Sequence, residues 1–187
     1  MSVEVHVIRT GESAELELRL SEPELALLRS LVEQYMSLVL DESGNDPAVQ
    51  RIFPDGYRGD PEAAAEFARY TRDGLVERKS SAAASLLLAL DAGSAVRAAT
   101  DSVERWLPVL TDLRMVLAER LGIHHDGDHG EGLMAEVYDW VGALQWNLVD
   151  ALIKRAARTY IAGDDDQAVF IWAGADVQSF LTAKGSI

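Results

Sequence analysis

The sequence predicts a mainly α protein, a helical domain of about five to six helices with a short N-terminal β-hairpin. Three observations predict it. Apolar residues recur at helical spacing through most of residues 21–187. Period-two alternation is confined to residues 1–20. Asp-Pro and Ser-x-x-Glu signals mark helix starts at separate points along the chain. A length of 187 residues suits one domain, with 1–20 as the hairpin and 21–187 as the helical body.

The hairpin comes first. Val3, Val5 and Val7 share one face of the first strand, and Leu16, Leu18 and Leu20 share one face of the second. T-G-E-S between them is the turn. Two strands alone are marginal, so one face is expected to rest on helices.

The period then changes. Ser21 and Glu24 form a capping box around Pro23, and Leu25, Leu28, Leu31, Val32, Tyr35, Leu38 and Val39 follow at helical spacing. This predicts a helix over 22–41, ended by D-E-S-G-N-D. Asp46-Pro47 and Asp60-Pro61 each place an aspartate cap before a proline at the first helical position. The first starts a short helical turn. The second starts a long helix from residue 61 into D-A-G at 91–93, with Gly74 and Ser80-Ser81 as weak points. In the loop between, Pro54, Gly56 and Gly59 prevent regular helix, and Phe53 and Tyr57 are large enough to anchor it by packing.

Asp101 and Glu104 read as another capping box, opening a helix through Trp106, Leu110, Leu113 and Leu117 to Leu121. Pro108 removes one backbone donor and should bend it. Gly122 is a natural stop. Within this helix, T-D-L-R should bury an Asp or Arg with a partner, because isolated buried charge is expensive. The next helix is expected over 132–162, ended by Gly163. D-D-D-Q at 164–167 is a charged turn or helix start, and A-V-F-I-W-A-G-A-D-V-Q-S-F-L at 168–181 is apolar enough to dock on the core.

Composition bounds the function. Hydrophobic residues make up 48%, enough for a real core. No apolar run approaches the ~20 residues of a membrane span. The start lacks a basic region followed by an apolar block, so the expected location is cytoplasmic. The chain has no cysteine, which removes disulfides, thiolate metal sites and thiol switches. With 31 acidic and 17 basic residues the net charge is −14, so direct nucleic-acid binding is not expected and protein partners are.

The segment G-I-H-H-D-G-D-H-G-E-G, residues 122–132, poses the metal question. His124, His125 and His129 could supply three ligands for zinc or nickel, with Asp126, Asp128 or Glu131 completing a site. Four glycines make that frame costly to order, at roughly 1–2 kcal/mol per residue. For calcium, Asp126 and Asp128 stand first and third in an EF-hand count, but the sixth residue is Glu131 and the twelfth Val137, so the loop fails the pattern. The reading preferred is a solvated interhelical loop, with no metal and no cofactor. No G-x-x-x-x-G-K-[ST], G-x-G-x-x-G, G-x-S-x-G or H-E-x-x-H occurs, and an enzyme is not expected.

The last long helix carries two apolar faces. Leu133, Val137, Trp140, Val141, Leu144, Leu148 and Leu152 form a core-facing stripe at 100° per residue. Met134, Tyr138, Trp146, Val149 and Ile153 lie around the far side. Either the helix is central, or a second copy covers this face. In the homodimer reading Trp146, Tyr138, Val149 and Ile153 are the interface candidates.

Three segments, I-F-P-D-G-Y-R-G-D-P-E-A-A-A-E-F (52–67), L-T-D-L-R-M-V-L-A-E-R-L-G-I (110–123) and Y-D-W-V-G-A-L-Q-W-N-L-V-D-A-L (138–152), follow a hairpin and a Leu-rich helix. In this order they resemble an actinobacterial family long filed as a domain of unknown function. Some of its members are described as oxidative-stress transcription regulators, the AosR-like proteins. The resemblance implies a non-enzymatic regulatory protein that contacts the transcription machinery, a sigma factor foremost. The family's redox version uses closely spaced N-terminal cysteines; here Val5 and Arg9 stand in that region, so the thiol switch does not carry over. The alternative reading is a small-ligand or metal-binding helical sensor.

The charge balance makes one prediction. Purified protein at about 150 mM salt should give no specific complex in a DNA mobility shift. A sequence-specific complex of nanomolar affinity would refute this.

Overall fold

A computed structural model describes residues 4–10, 13–41, 45–57, 59–125 and 127–155. In chain order the elements are β1 (Glu4–Thr10), β2 (Ser13–Arg19), α1 (Glu22–Val39), α2 (Pro47–Ile52), α3 (Pro61–Leu90), β3 (Ala95–Ala99), α4 (Thr100–Leu121) and α5 (Leu133–Arg155). The protein is mainly helical with an antiparallel hairpin at its N-terminus. The expected helix over 156–162 and the apolar stretch 168–181 lie outside the described residues.

β1 and β2 pair from Glu4↔Arg19 to Thr10↔Ser13. The alternation does what it should: Leu16, Leu18 and Leu20 are buried in the core. The sheet departs from expectation in having a third strand. β3 pairs antiparallel with the other edge of β2, from Glu15↔Ala99 to Arg19↔Ala95. Ala-Val-Arg-Ala-Ala has weak strand propensity. It is extended because β2 offers an open ladder and the core accepts Val96 and Ala98 from its inner face. Arg97 faces outward and donates to Glu17 at 2.7 Å across the strands.

This strand also removes a predicted cap. β3 runs straight into α4, so the N-cap position is Ala99, with no side-chain cap bond, and Asp101 lies inside the first turn. There it still favours the positive helix end. The other local signals form as read. Ser21 Oγ accepts from the Glu24 N–H, and the Glu24 carboxylate accepts from the Ser21 N–H at 2.9 Å, closing the capping box. Asp46 accepts from the Ala48 N–H at 2.9 Å and Asp60 from the Ala63 N–H at 3.0 Å, each ahead of its proline. α3 runs unbroken through Gly74 and Ser80-Ser81; the Ser80 hydroxyl donates to the Val76 carbonyl at 2.7 Å. α4 continues through Pro108, which is exposed together with Glu104, so the carbonyl that proline leaves unbonded can be met by water.

Gly122 closes α4 at φ 70°. Its N–H donates to the Glu119 carbonyl, and the Ile123 N–H reaches back to the Ala118 carbonyl at 2.9 Å. This is a Schellman cap, with Ile123 and Ala118 both buried beneath it.

α4 is the hub, packing on α1, α2, α3, α5, β2 and β3. α2 is tied to its C-terminal end. Asp46 pairs with Arg120, Arg51 approaches Glu119 at 3.3 Å, and Arg51 donates to the Ile123 carbonyl at 3.1 Å. The Phe53 ring anchors the following loop as expected, with the Arg72 guanidinium 4.1 Å from its centroid. Tyr57 stays exposed but meets Phe67 edge-on at 5.7 Å. A methyl group on Gly56 would lie 2.7 Å from the Phe67 ring, which is why glycine suits that position.

Acid should unfold the protein through its paired carboxylates. Hydrogen bonds from Arg97 and Arg19 hold Glu17 below its ordinary 4.5. Arg120 and the Ala48 N–H hold Asp46 below 3.8. Burial pushes Glu24 up, but the Ser21 hydroxyl and N–H outweigh it and the net shift is down. A folded-state value below the unfolded one adds stability that is present above the ordinary carboxyl range and lost as pH falls through it and beyond. The melting temperature should therefore be level above about pH 5 and drop steeply below about pH 4. Arg97→Gln should move the acid midpoint upward. An unchanged midpoint would remove Glu17 from this account.

Candidate functional site

A groove opens between α1 and the N-terminal half of α5, floored by α4, with a volume of about 810 Å³. Its α1 wall is Leu27, Leu31 and Leu38, its floor Leu113, Val116 and Leu117, and its α5 wall Leu133, Met134 and Val137. Polar groups are few. Gln34 and Ser37 lie on the α1 side, and Asp41 and Arg120 also line it. Apolar residues of α1 occupy more than one core-facing stripe, since Leu28, Val32 and Tyr35 are buried while Leu27, Leu31 and Leu38 are half-buried. That excess width was visible in the sequence. What it faced was not.

The site has one deep polar element. Tyr35 lines the groove, and its hydroxyl donates to Asp112 Oδ2 at 2.6 Å. Lys79 of α3 donates to the same oxygen at 2.6 Å, with its ammonium 5.6 Å from the Phe53 ring centroid. Asp112 is the partnered acid that T-D-L-R led us to expect. Burial, then the Asp112 charge and hydrogen bond, push the Tyr35 phenol far above its ordinary 10, so it stays protonated and donating. The arrangement is an anchor for the groove floor.

The histidine loop lies elsewhere. Asp128 accepts from the backbone N–H groups of His124 and His125, both at 2.9 Å, and those bonds hold its carboxyl below the ordinary value. Its charge thus serves the loop's own backbone. His124 Nδ1 is 3.8 Å from Glu119 Oε2, while His125 and His129 are exposed. Asp126 lies outside the described residues. Among the described residues no three His, Asp or Glu side chains converge on a common point.

The second face of α5 divides. Tyr138 is buried and takes a hydrogen bond from Arg114 at 3.2 Å, so it faces α4 and not outward. Tyr138 follows Val137 by about 100° on the helix, beside the core stripe, and the buried Arg114 of α4 draws its hydroxyl inward. Trp146, Val149 and Ile153 are half-buried, and Met134 lines the groove. In the core stripe, Val137, Trp140, Val141, Leu144 and Leu148 are buried, but Leu133 stands 74% exposed at the groove's edge.

The anchor is testable. Tyr35→Phe should cost about 1.5–3 kcal/mol, the worth of a hydrogen bond to a charged group. Asp112→Ala should cost more, about 3–5 kcal/mol, because it strands Lys79 and Tyr35 together. Denaturant titration of the two variants decides; equal, negligible losses would mean the contact does not hold the floor.

A family model described as a domain of unknown function (DUF2017) matches residues 6–152, from β1 to the last turns of α5. A second model, of the UvrD/REP helicase N-terminal domain, matches residues 141–187, less than half of the chain and largely outside the described residues. No curated protein and no solved structure matches the chain. No helix among the described residues is long and apolar enough to cross a membrane. The first match takes in every element of the sheet and nearly all of the helical body, and the chain belongs to the family of this domain of unknown function, DUF2017.

Proposed function

We propose that this is a non-enzymatic regulatory protein that binds a partner protein through the groove between α1 and α5. The observation that supports this is apolar surface held open at the groove's edge, with Leu133 74% and Met134 45% exposed beside a floor in which Leu113 and Leu117 are buried. Such a trough suits an amphipathic helix laid in with its apolar face down. The net charge of −14 favours a partner with basic flanks. The sequence's resemblance to regulators of transcription makes an actinobacterial sigma factor, or another component of the transcription machinery, the partner to test first. The absence of cysteine in the chain means that any regulation of this contact works without a thiol switch. A second reading, a sensor of a small apolar ligand, is favoured by the groove volume, since about 810 Å³ falls within the usual range for ligand pockets.

Leu133→Asp and Met134→Lys change exposed side chains, so folding stability should move by less than about 0.5 kcal/mol. Binding of a labelled, purified sigma factor, followed by anisotropy, should weaken at least tenfold. Unchanged affinity would move the contact off this groove. A bound small molecule in native mass spectra of the purified protein, lost in Met134→Lys, would favour the sensor reading instead.

A further inference from the structure

Arg114 is a buried cation that has no counter-charge among the described residues. Its residue is 5% exposed, on the face of α4 turned to α5. One Nη donates to Gln145 Oε1 at 3.4 Å and the other to the Tyr138 hydroxyl at 3.2 Å. Nε meets no acceptor among the described residues. Among the described residues Arg114 makes no ion pair. Both hydrogen bonds are long and both acceptors are neutral, whereas guanidinium bonds to carboxylates run at about 2.7–2.9 Å. The Tyr138 ring, 5.0 Å from the guanidinium carbon, offers its quadrupole but no charge.

The contrast with the rest of the molecule is sharp. Among the described residues four charged side chains are buried: Glu17, Glu24, Asp112 and Arg114. Glu17 holds Arg19 and Arg97, and Asp112 holds Lys79. Glu24 is bound by the hydroxyl and N–H of Ser21 at the start of α1. Of these four, Arg114 alone lacks a charged or capping partner among the described residues. The chain has 31 acidic residues against 17 basic ones, so an acid to pair with it is the easiest thing to supply. A guanidinium cannot shed its proton to escape the cost of burial.

The surroundings give an approach. Thr111 and Gln145 are both half-buried, so solvent reaches groups in direct contact with the guanidinium. Gln145 Nε2 donates to Thr111 Oγ1 at 2.6 Å, and Thr111 Oγ1 donates to the Leu107 carbonyl at 3.0 Å. This chain of bonds aims Gln145 Oε1 at Arg114 and leaves the Nε edge unmet. We propose that Arg114 is an anion-binding residue, and that a small oxyanion, a carboxylate or a phosphate, enters beside Thr111 and Gln145 to take the Nε–H and an adjacent Nη–H. The site is separate from the groove, whose lining includes neither Arg114 nor Thr111, Tyr138 or Gln145.

The test uses the full chain. With ¹⁵N-arginine labelling, acetate and phosphate are titrated separately at constant ionic strength held with chloride. The Arg114 Nε–H resonance, identified by its loss in Arg114→Lys, should shift saturably with one of them. The anion that shifts it separates a carboxylate ligand from a phosphate ligand. At a hundredfold excess over the dissociation constant, the folded state should gain about a hundredfold in its equilibrium constant. That corresponds to a rise in melting temperature of roughly 5–10 °C for a chain of this size. Arg114→Met should show no such rise and should be at least as stable as the wild type in chloride alone. The proposal is overturned if neither anion shifts the resonance, if chloride shifts it equally, or if Arg114→Met responds to the anions as the wild type does. Should Arg114→Met fail to fold, the resonance titration of the wild type decides alone.

Discussion

Asp112 takes one hydrogen bond from Tyr35 of α1 and another from Lys79 of α3 on a single carboxylate oxygen, so three helices are registered on one buried acid. α4, which carries it, is the element that touches both the sheet and the other helices. A hydrophobic contact would let α1 slide along α4 at little cost, because apolar burial has no direction. Two short hydrogen bonds to a charged group permit no such slide. The floor and the α1 wall of the groove therefore keep their relative positions whether or not anything lies between them.

The same helix is held at both ends by backbone chemistry. At its start β3 delivers the chain directly from the sheet, and at its finish the Gly122 cap turns it while α2 clamps the final turn through Asp46–Arg120 and Arg51. These clamps place Arg120 at the groove. The acids are accordingly of two kinds. Some, such as Glu17 and Asp46, are bound to arginine or backbone N–H groups and stabilise the fold. The remainder give the chain its negative field, which acts on partners at a distance and is screened by salt.

Function, on this reading, is distributed over two places along α4. Leu113 and Leu117 look into an apolar trough, while Arg114 looks toward α5 with an unmet donor. An occupant of either place acts on a helix that packs on α1, α2, α3, α5, β2 and β3. α5 contributes to both, with Leu133 and Met134 at the trough and Tyr138 and Gln145 at the guanidinium. A displacement of α5 by one occupant would be felt by the other, which gives the molecule a physical route for coupling the two sites.

Residues close in sequence carried their own instructions. The capping box at Ser21 and Glu24, the Asp-Pro starts at 46 and 60, the Gly122 stop and the alternation of Leu16 and Leu18 all formed as read, because each depends on groups within a few positions of one another. In the histidine loop Asp128 bonds the backbone three and four residues away, a local contact that the sequence reading did not name. Tertiary structure decided the rest. Ala95–Ala99 became a strand only because β2 presented a free edge, and Glu17 found Arg97 across a separation of 80 residues. Tyr35 reached Asp112 over 77 residues, and Lys79 reached it over 33. T-D-L-R announced a buried charge, but only packing determined that the aspartate would have its cation and the arginine two neutral acceptors. The physical reason is that capping and alternation are settled within one or two turns of chain, whereas a groove wall, a strand edge and the partner of a buried charge exist only once distant segments meet.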